Sequence, residues 1–168
     1  YARQDLEALQ LLADHVIARH YPKAADAENS VRAMLDAIVV RQAELVAQWM
    51  LLGFIHGVMN TDNSAVSGET IDYGPCAFMD VFHPETVFSS IDRQGRYAGH
   101  NQPEMAHWNM AQLAQALGPV LGDDAETETQ GAMALFAPAF SKAFYRGFAA
   151  KIGIDGDTAE VRALVSDL

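Results

Sequence analysis

The sequence contains a single cysteine, Cys76, and only half as many basic residues as acidic ones. One cysteine excludes an internal disulfide and is typical of proteins from a reducing compartment. With 22 acidic residues against 11 lysines and arginines, the net charge is -11. This charge repels nucleic acids and anionic membranes, because both are negative themselves. We therefore expect neither partner, and we predict a cytoplasmic bacterial protein.

Long hydrophobic runs are also missing, because no stretch reaches the roughly 18 apolar residues that span a bilayer. Half of the 168 residues are nonetheless apolar, which is enough for the core of one domain without a structural metal. The chain starts at Tyr1 rather than at a methionine. Its last predicted helix opens with capping-box spacing at residues 157–160 and stops at Leu168. From both ends we expect a fragment of a longer protein.

Apolar residues at helical spacing predict a mainly α structure. The first helix is predicted from Leu6 to about His20, and the second from an N-cap at Ser30 to about Leu52. Pro103 suits the first position of another helix. Phenylalanines recur at every fourth residue from Phe136 to Phe148 and predict a core helix, which Pro138 should kink or split.

The centre of the chain, between Gly53 and Pro103, is polar and rich in glycine and proline. Residues 54–55, 65–66 and 70–71 are predicted as short strands, and a turn at 67–69 would join the last two into a small β-hairpin. In a compact domain, polar loops of this length tend to carry function. We therefore expect the functional site in this segment.

Two acids and one amide, Asp62, Asn63 and Asp72, stand where the predicted short strands end. Mg²⁺ prefers oxygen ligands and usually takes only one or two from protein, which leaves positions for phosphate and water. An asparagine carbonyl and an aspartate carboxylate can supply those two ligands. A second carboxylate nearby can accept the proton of an attacking hydroxyl. This pattern is typical of a magnesium-nucleotide site.

The same segment follows the protein-kinase signature, in which a catalytic loop H-R-D-L-x-x-x-N precedes D-F-G. Without gaps, His56 takes the histidine position, Asn63 the metal-binding asparagine, and residues 72–74 the D-F-G position. Val58 stands where the catalytic aspartate belongs, and a valine cannot take a proton. The pattern therefore excludes a standard kinase and leaves Asp62 as the only carboxylate in the catalytic loop, residues 56–63.

The chain resembles the selenoprotein O (YdiU) family from its start to about Gly118. The matching residues are 13–22, 45–49, 53–63, 70–75, 94–97, 101–103 and 108–109. The resemblance implies a protein-kinase-like fold that transfers AMP, not phosphate, from ATP to hydroxyl side chains (Ser, Thr or Tyr) of proteins. It implies that Asp62 accepts the proton, that Asn63 and Asp72 bind Mg²⁺ or Mn²⁺, and that Asp72 also lies close to the nucleotide phosphates.

The resemblance also implies what residues 1–168 leave out. By this resemblance, residues 1–168 correspond to a large lobe with the catalytic loop and the metal-binding segment at 72–74. We call residues 72–74 the DYG segment. The family's small lobe, with its glycine-rich segment and phosphate-binding lysine, is not among residues 1–168, nor is the redox-active C-terminal tail. We therefore expect the 168-residue chain by itself to bind ATP poorly and to be inactive.

Two other functions stay open from the sequence. Asp62 could serve ordinary phosphate transfer, or the chain could be a non-catalytic, kinase-like binding module. The retained acid-amide-acid set argues against the module, because a scaffold needs no metal ligands. We expect His56 to be structural, hydrogen-bonding the loop backbone. Arg93 and Arg96 could touch substrate or phosphate, but such arginines more often pair with nearby acids, and we leave them outside the predicted site.

Overall fold

The computed structural model describes residues 5–166, which form six α-helices and one two-stranded sheet. The helices are α1 (Leu6–His20), α2 (Ser30–Leu52), α3 (Gln102–Leu117), α4 (Ala125–Met133), α5 (Phe136–Lys151) and α6 (Ala159–Ser166). Short 3-10 turns occupy Pro22–Asp26, Thr61–Asn63, Gly99–Asn101 and Gly118–Val120. No helix in this part of the chain is long and apolar enough to cross a membrane. The mainly α prediction is confirmed.

The central element is α2, against which α1, α3, α4 and α5 all pack. Its apolar face is broad, and Leu35 and Val39 are completely buried. The helix ends at Leu52 as predicted, because Gly53 adopts a left-handed conformation (φ 69°) that stops it. The predicted N-cap at Ser30 is wrong by one residue. The side chain of Asn29 accepts a 3.0 Å hydrogen bond from the amide of Arg32 and caps the helix instead.

The phenylalanine series lies on α5, which runs unbroken from Phe136 to Lys151. The predicted kink at Pro138 is wrong, because Pro138 falls in the first turn, where a helix has no acceptor for the missing N–H. The break lies just before the helix, at residues 134–135. Phe136 is buried, while Phe140 is half-buried and packs against the core.

The sheet pairs β1 (Phe54–Ile55) with β2 (Ala77–Phe78) in antiparallel register, with Phe54 opposite Phe78. The first predicted strand is confirmed by β1. The predicted hairpin across residues 65–71 is wrong, because neither of its arms is a strand. The two segments that it was expected to carry, the catalytic loop and the DYG segment, lie between β1 and β2 instead.

Side chains take the place of a partner strand along residues 65–67. Gln42 donates a 2.6 Å hydrogen bond to the carbonyl of residue 65, the hydroxyl of Tyr21 donates to that of residue 66, and Arg41 donates at 3.0 Å to that of residue 67. These carbonyls are the acceptors that a strand ladder would use. Donors from α2 and from the end of α1 therefore hold this segment flat against the helices and prevent a hairpin.

The last helix begins at Ala159, one residue later than the pattern at 157–160 suggested. The hydroxyl of Thr158 accepts a 3.3 Å hydrogen bond from the amide of Val161, so Thr158 occupies the capping position. Asp157 instead forms an ion pair with Arg162, which holds the pKa of its carboxyl below the usual range. The predicted end at Leu168 lies outside the described residues.

Candidate functional site

The catalytic loop leaves directly from β1, and the DYG segment ends just before β2 begins. Because β1 and β2 are hydrogen-bonded neighbours, the start of one segment and the end of the other meet at the same short sheet. The catalytic loop itself ends in a 3-10 turn at Thr61–Asn63. The short sheet in this way brings together the start of the catalytic loop and the end of the DYG segment, which are separated in the sequence.

His56 ties the two segments together. Its ring is completely buried, and its Nε2 lies 2.7 Å from the carbonyl oxygen of Ile71, the residue before Asp72. A carbonyl oxygen only accepts, so Nε2 carries the proton. The ring also packs 5.4 Å from that of Trp49. The predicted hydrogen bond from His56 to backbone is observed, and its partner is the residue just before the DYG segment. That His56 is structural and not an acid or base stays a prediction.

Gly57 makes the second contact between the segments. Its φ of 84° is a conformation that side-chain-bearing residues rarely adopt. A Cβ at this position would stand 3.0 Å from Cγ of Pro75 and 3.4 Å from its carbonyl oxygen. Glycine is therefore required both for the backbone turn and for the close approach of the residue that follows the DYG segment.

Val58 stands at the position of the aspartate in the kinase signature. It contributes a backbone carbonyl to the loop and has no side-chain carboxylate. Its carbonyl oxygen accepts a 3.0 Å hydrogen bond from Nδ2 of the half-buried Asn63. This bond orients the amide of Asn63 and occupies its donor end. The oxygen Oδ1 of Asn63 has no hydrogen-bond donor within residues 5–166, which leaves it available to a cation.

The two acids of the site are both exposed. Neither Asp62 nor Asp72 forms a hydrogen bond or an ion pair through its carboxylate within residues 5–166. Asp72 has a φ of 56°, the one positive φ of a non-glycine residue in the described chain. Its carbonyl accepts a 2.8 Å bond from the amide of Gly74, which closes a tight turn. Such sparsely populated conformations collect at functional sites.

The donor set fits Mg²⁺ better than a transition metal. Within residues 5–166 no three His, Cys, Asp or Glu side chains come together as a ready metal cage. Mg²⁺ needs no such cage, because it keeps several waters and takes one or two protein oxygens. The carboxylate of Asp72 and the amide oxygen of Asn63 are oxygens of this kind. The side chains of Asp62, Asn63 and Asp72 form no hydrogen bonds with one another.

Two buried amides of α3 hold the catalytic loop, and our sequence-based site did not include them. Gln102 accepts a 3.0 Å bond from the amide of His56 and donates a 3.0 Å bond to the carbonyl of Phe54. Asn109 donates to the carbonyl of Met59 at 3.1 Å. Both are almost fully buried. Both stand among the residues that carry the family resemblance, but nothing in the sequence showed that they bind the loop.

A third support comes from Tyr97, whose hydroxyl donates a 2.6 Å hydrogen bond to Oδ1 of Asn60. Tyr97 packs against the core, and Asn60 precedes the 3-10 turn that holds Asp62 and Asn63. These groups thus fix the loop at its start and in its middle, while the residues of its 3-10 turn remain partly open to solvent.

A family model described as protein adenylyltransferase SelO matches residues 1–168. The chain belongs to the SelO family. The family match covers the whole chain, so it extends beyond Gly118, where the resemblance in the sequence was expected to fade. Of the segments that carried the resemblance, residues 56–63 and 70–75 lie between β1 and β2.

Bacterial SelO relatives support the same assignment. The chain is 53% identical to a protein nucleotidyltransferase YdiU of Rhodopseudomonas palustris, over 99% of this chain and 34% of the relative. It is 55% identical to a protein of the same name from Methylorubrum extorquens, over 94% of this chain and 33% of the relative. The chain therefore spans about a third of the length of the curated relatives that it matches.

Proposed function

We propose that this chain is the catalytic-loop half of a protein adenylyltransferase, equivalent to the large lobe of a protein-kinase-like fold. The reaction transfers AMP from ATP to a hydroxyl side chain (Ser, Thr or Tyr) of a protein and releases pyrophosphate. The observation that supports it most directly is the hydrogen bond from His56 to the carbonyl of Ile71. Through this bond the loop that bears Asp62 and Asn63 is held against the segment that bears Asp72.

Each site residue has a role that its surroundings permit. The acceptor oxygen attacks the α-phosphorus of ATP, the bond from that phosphorus to the bridging oxygen breaks, and pyrophosphate leaves. The proton of the hydroxyl passes to Asp62, whose exposed carboxylate has no protein partner within residues 5–166. Asn63 and Asp72 would hold Mg²⁺ or Mn²⁺, which when bound neutralises phosphate charge. Asp72 would also lie near the nucleotide phosphates.

The partners follow from the same proposal. ATP and proteins with accessible hydroxyls are the substrates, and the names of the relatives agree, since they are protein nucleotidyltransferases. The net charge of -11 disfavours nucleic acids and anionic membranes as partners. The single cysteine supports a cytoplasmic location.

The decisive experiment supplies the full-length protein with magnesium and ATP labelled on either the α- or the γ-phosphate. Label should enter protein from the α position only. Asp72→Ala should abolish transfer, and Asp62→Ala should slow it roughly 10²–10⁴-fold if general-base catalysis is its main contribution. Asp80→Ala removes an exposed acid outside the site and should leave the transfer rate unchanged.

The other outcomes lead to the alternative functions. Entry of γ-label would show phosphate transfer, because Asp62, Asn63 and Asp72 serve whichever phosphorus faces the acceptor. Incorporation of neither label, with ATP still bound by the full-length protein, would show a non-catalytic binding module. Only α-label entry that depends on Asp72 is compatible with the proposal.

A further inference from the structure

Arg96 lies beside the catalytic loop with its charge unpaired. We expected such an arginine to pair with a nearby acid, yet Arg96 forms no ion pair within residues 5–166. Its guanidinium carbon stands 5.1 Å from the ring centroid of Trp108 and 5.8 Å from that of Tyr97. Tyr97 is the residue whose hydroxyl binds Asn60 of the catalytic loop.

The backbone under Arg96 is held rigidly. Asp92, the nearest upstream acid, accepts bonds from the amides of Arg96 (2.9 Å) and Tyr97 (2.8 Å), one on each of its carboxylate oxygens. Asn101 donates a 2.8 Å bond to the carbonyl of Gly95. The turn therefore presents the arginine side chain at a defined place, and Asp92 forms no ion pair with it within residues 5–166.

A guanidinium packed on aromatic rings keeps its edge N–H groups free. Those groups form a planar fork that matches the two oxygens of a carboxylate. The ring contacts also restrict the side chain in advance, so less conformational entropy is lost when an anion binds. Arg96 is exposed, and Trp108 beneath it is 43% exposed, so the fork is open to a ligand from solvent.

Exposed apolar residues precede Arg96 in the chain, and they favour a peptide over a nucleotide as its ligand. Ile91 is 82% exposed and Phe88 is 36% exposed, which places apolar side chains in the open a few residues before the arginine. An extended peptide can cover such residues and offer a carboxylate at the same time. The net charge of the chain is -11, so an acidic partner is repelled by most of its surface. An unpaired arginine offers such a partner a local attractive site.

We propose that Arg96 is a specificity-determining residue that binds an acidic side chain of the protein substrate, next to the hydroxyl that receives AMP. The inference rests on the proposed function for the acceptor, although the binding step can be measured without transfer. The protein would then prefer acceptor hydroxyls that have a glutamate or aspartate nearby in the substrate.

The test measures binding of three fluorescein-labelled peptides to the full-length protein by anisotropy, and one of the three has lysines on both sides of its single tyrosine. In the second peptide glutamates flank the tyrosine, and in the third each glutamate is replaced by glutamine. The wild-type protein should bind the glutamate peptide about tenfold more tightly in low salt. Arg96→Ala should remove the preference, and Arg96→Glu should reverse it toward a lysine-flanked peptide. Arg93→Ala removes an exposed charge of the same turn and should leave it intact.

The outcomes separate this inference from the proposed function. Equal binding of the glutamate and glutamine peptides by wild type, or the same preference in Arg96→Ala, overturns the inference even if α-label enters protein. A higher KM for ATP in Arg96→Ala with an unchanged peptide preference would assign Arg96 to nucleotide phosphate and overturn it as well. A preference that depends on Arg96, together with entry of γ-label only, supports the inference and rejects adenylyl transfer. Thermal melting of each variant verifies that the fold is intact.

Discussion

The hydroxyl of Tyr97 donates a 2.6 Å hydrogen bond to the side-chain oxygen of Asn60, two residues before Asp62. This bond joins the middle of the catalytic loop to the turn that carries Arg96. Asp62 itself has no bond that would fix its carboxylate within residues 5–166. The position of the predicted base therefore depends on supports one or two residues away.

Removal of that hydroxyl by Tyr97→Phe should slow AMP transfer by the full-length protein about fivefold. One hydrogen bond of this kind contributes about 1 kcal/mol, and the ring would still pack as before. The KM for ATP should stay unchanged, because no nucleotide contact is lost. Tyr145→Phe, which removes a hydroxyl on α5, is the matched control. An unchanged kcat in Tyr97→Phe would show that the bond to Asn60 does not position the loop.

Gln102→Ala should lower the free energy of unfolding by about 2–4 kcal/mol. The substitution strands two buried backbone groups, the amide of His56 and the carbonyl of Phe54, and each unpaired group costs about 1–3 kcal/mol. Urea denaturation measures the change. Gln115→Ala, at an exposed position of the same helix, should cost less than about 0.5 kcal/mol. Equal losses in the two variants would contradict the role assigned to Gln102.

Gly57→Ala should destabilise the protein by about 1–2 kcal/mol, because a left-handed conformation costs a residue with a Cβ about that much. The new methyl would also press on Pro75, so we expect slower transfer. Gly118→Ala is the control, since its Cβ meets no atom within 4 Å and its φ is -42°. That variant should be neutral or more stable by up to about 1 kcal/mol. Guanidinium denaturation of both variants distinguishes strain at Gly57 from a general effect of alanine.

Removal of divalent metal by a chelator should abolish transfer, and added Mg²⁺ should restore it. Asn63→Ala should raise the Mg²⁺ concentration for half-maximal rate by on the order of tenfold or more, because it deletes one of the two protein oxygens. Asp80→Ala should leave the Mg²⁺ requirement unchanged. A full rate in the presence of chelator would remove Asn63 and Asp72 from the role of metal ligands.

The sequence alone predicted much of the helical fold and the location of the candidate site. Helices α1 and α2 end where apolar spacing, Pro22 and Gly53 indicated, because helix limits depend on neighbouring residues. The catalytic loop was recognised by its spacing from His56 to Asn63, which is also a local property. The roles of Asp62, Asn63 and Asp72 stay predictions, since they depend on ligands and kinetics.

Contacts between distant residues decided the rest. The hairpin predicted across residues 65–71 failed because Tyr21, Arg41 and Gln42 donate to its carbonyls, and no local pattern reveals donors that far away. Gln102 supports the loop for the same kind of reason. A buried amide can bind backbone groups only when packing places those groups opposite it. The sequence by itself determined much of which segments are helical and which loop is the candidate site. Tertiary packing decided which backbone groups needed partners and which side chains supplied them.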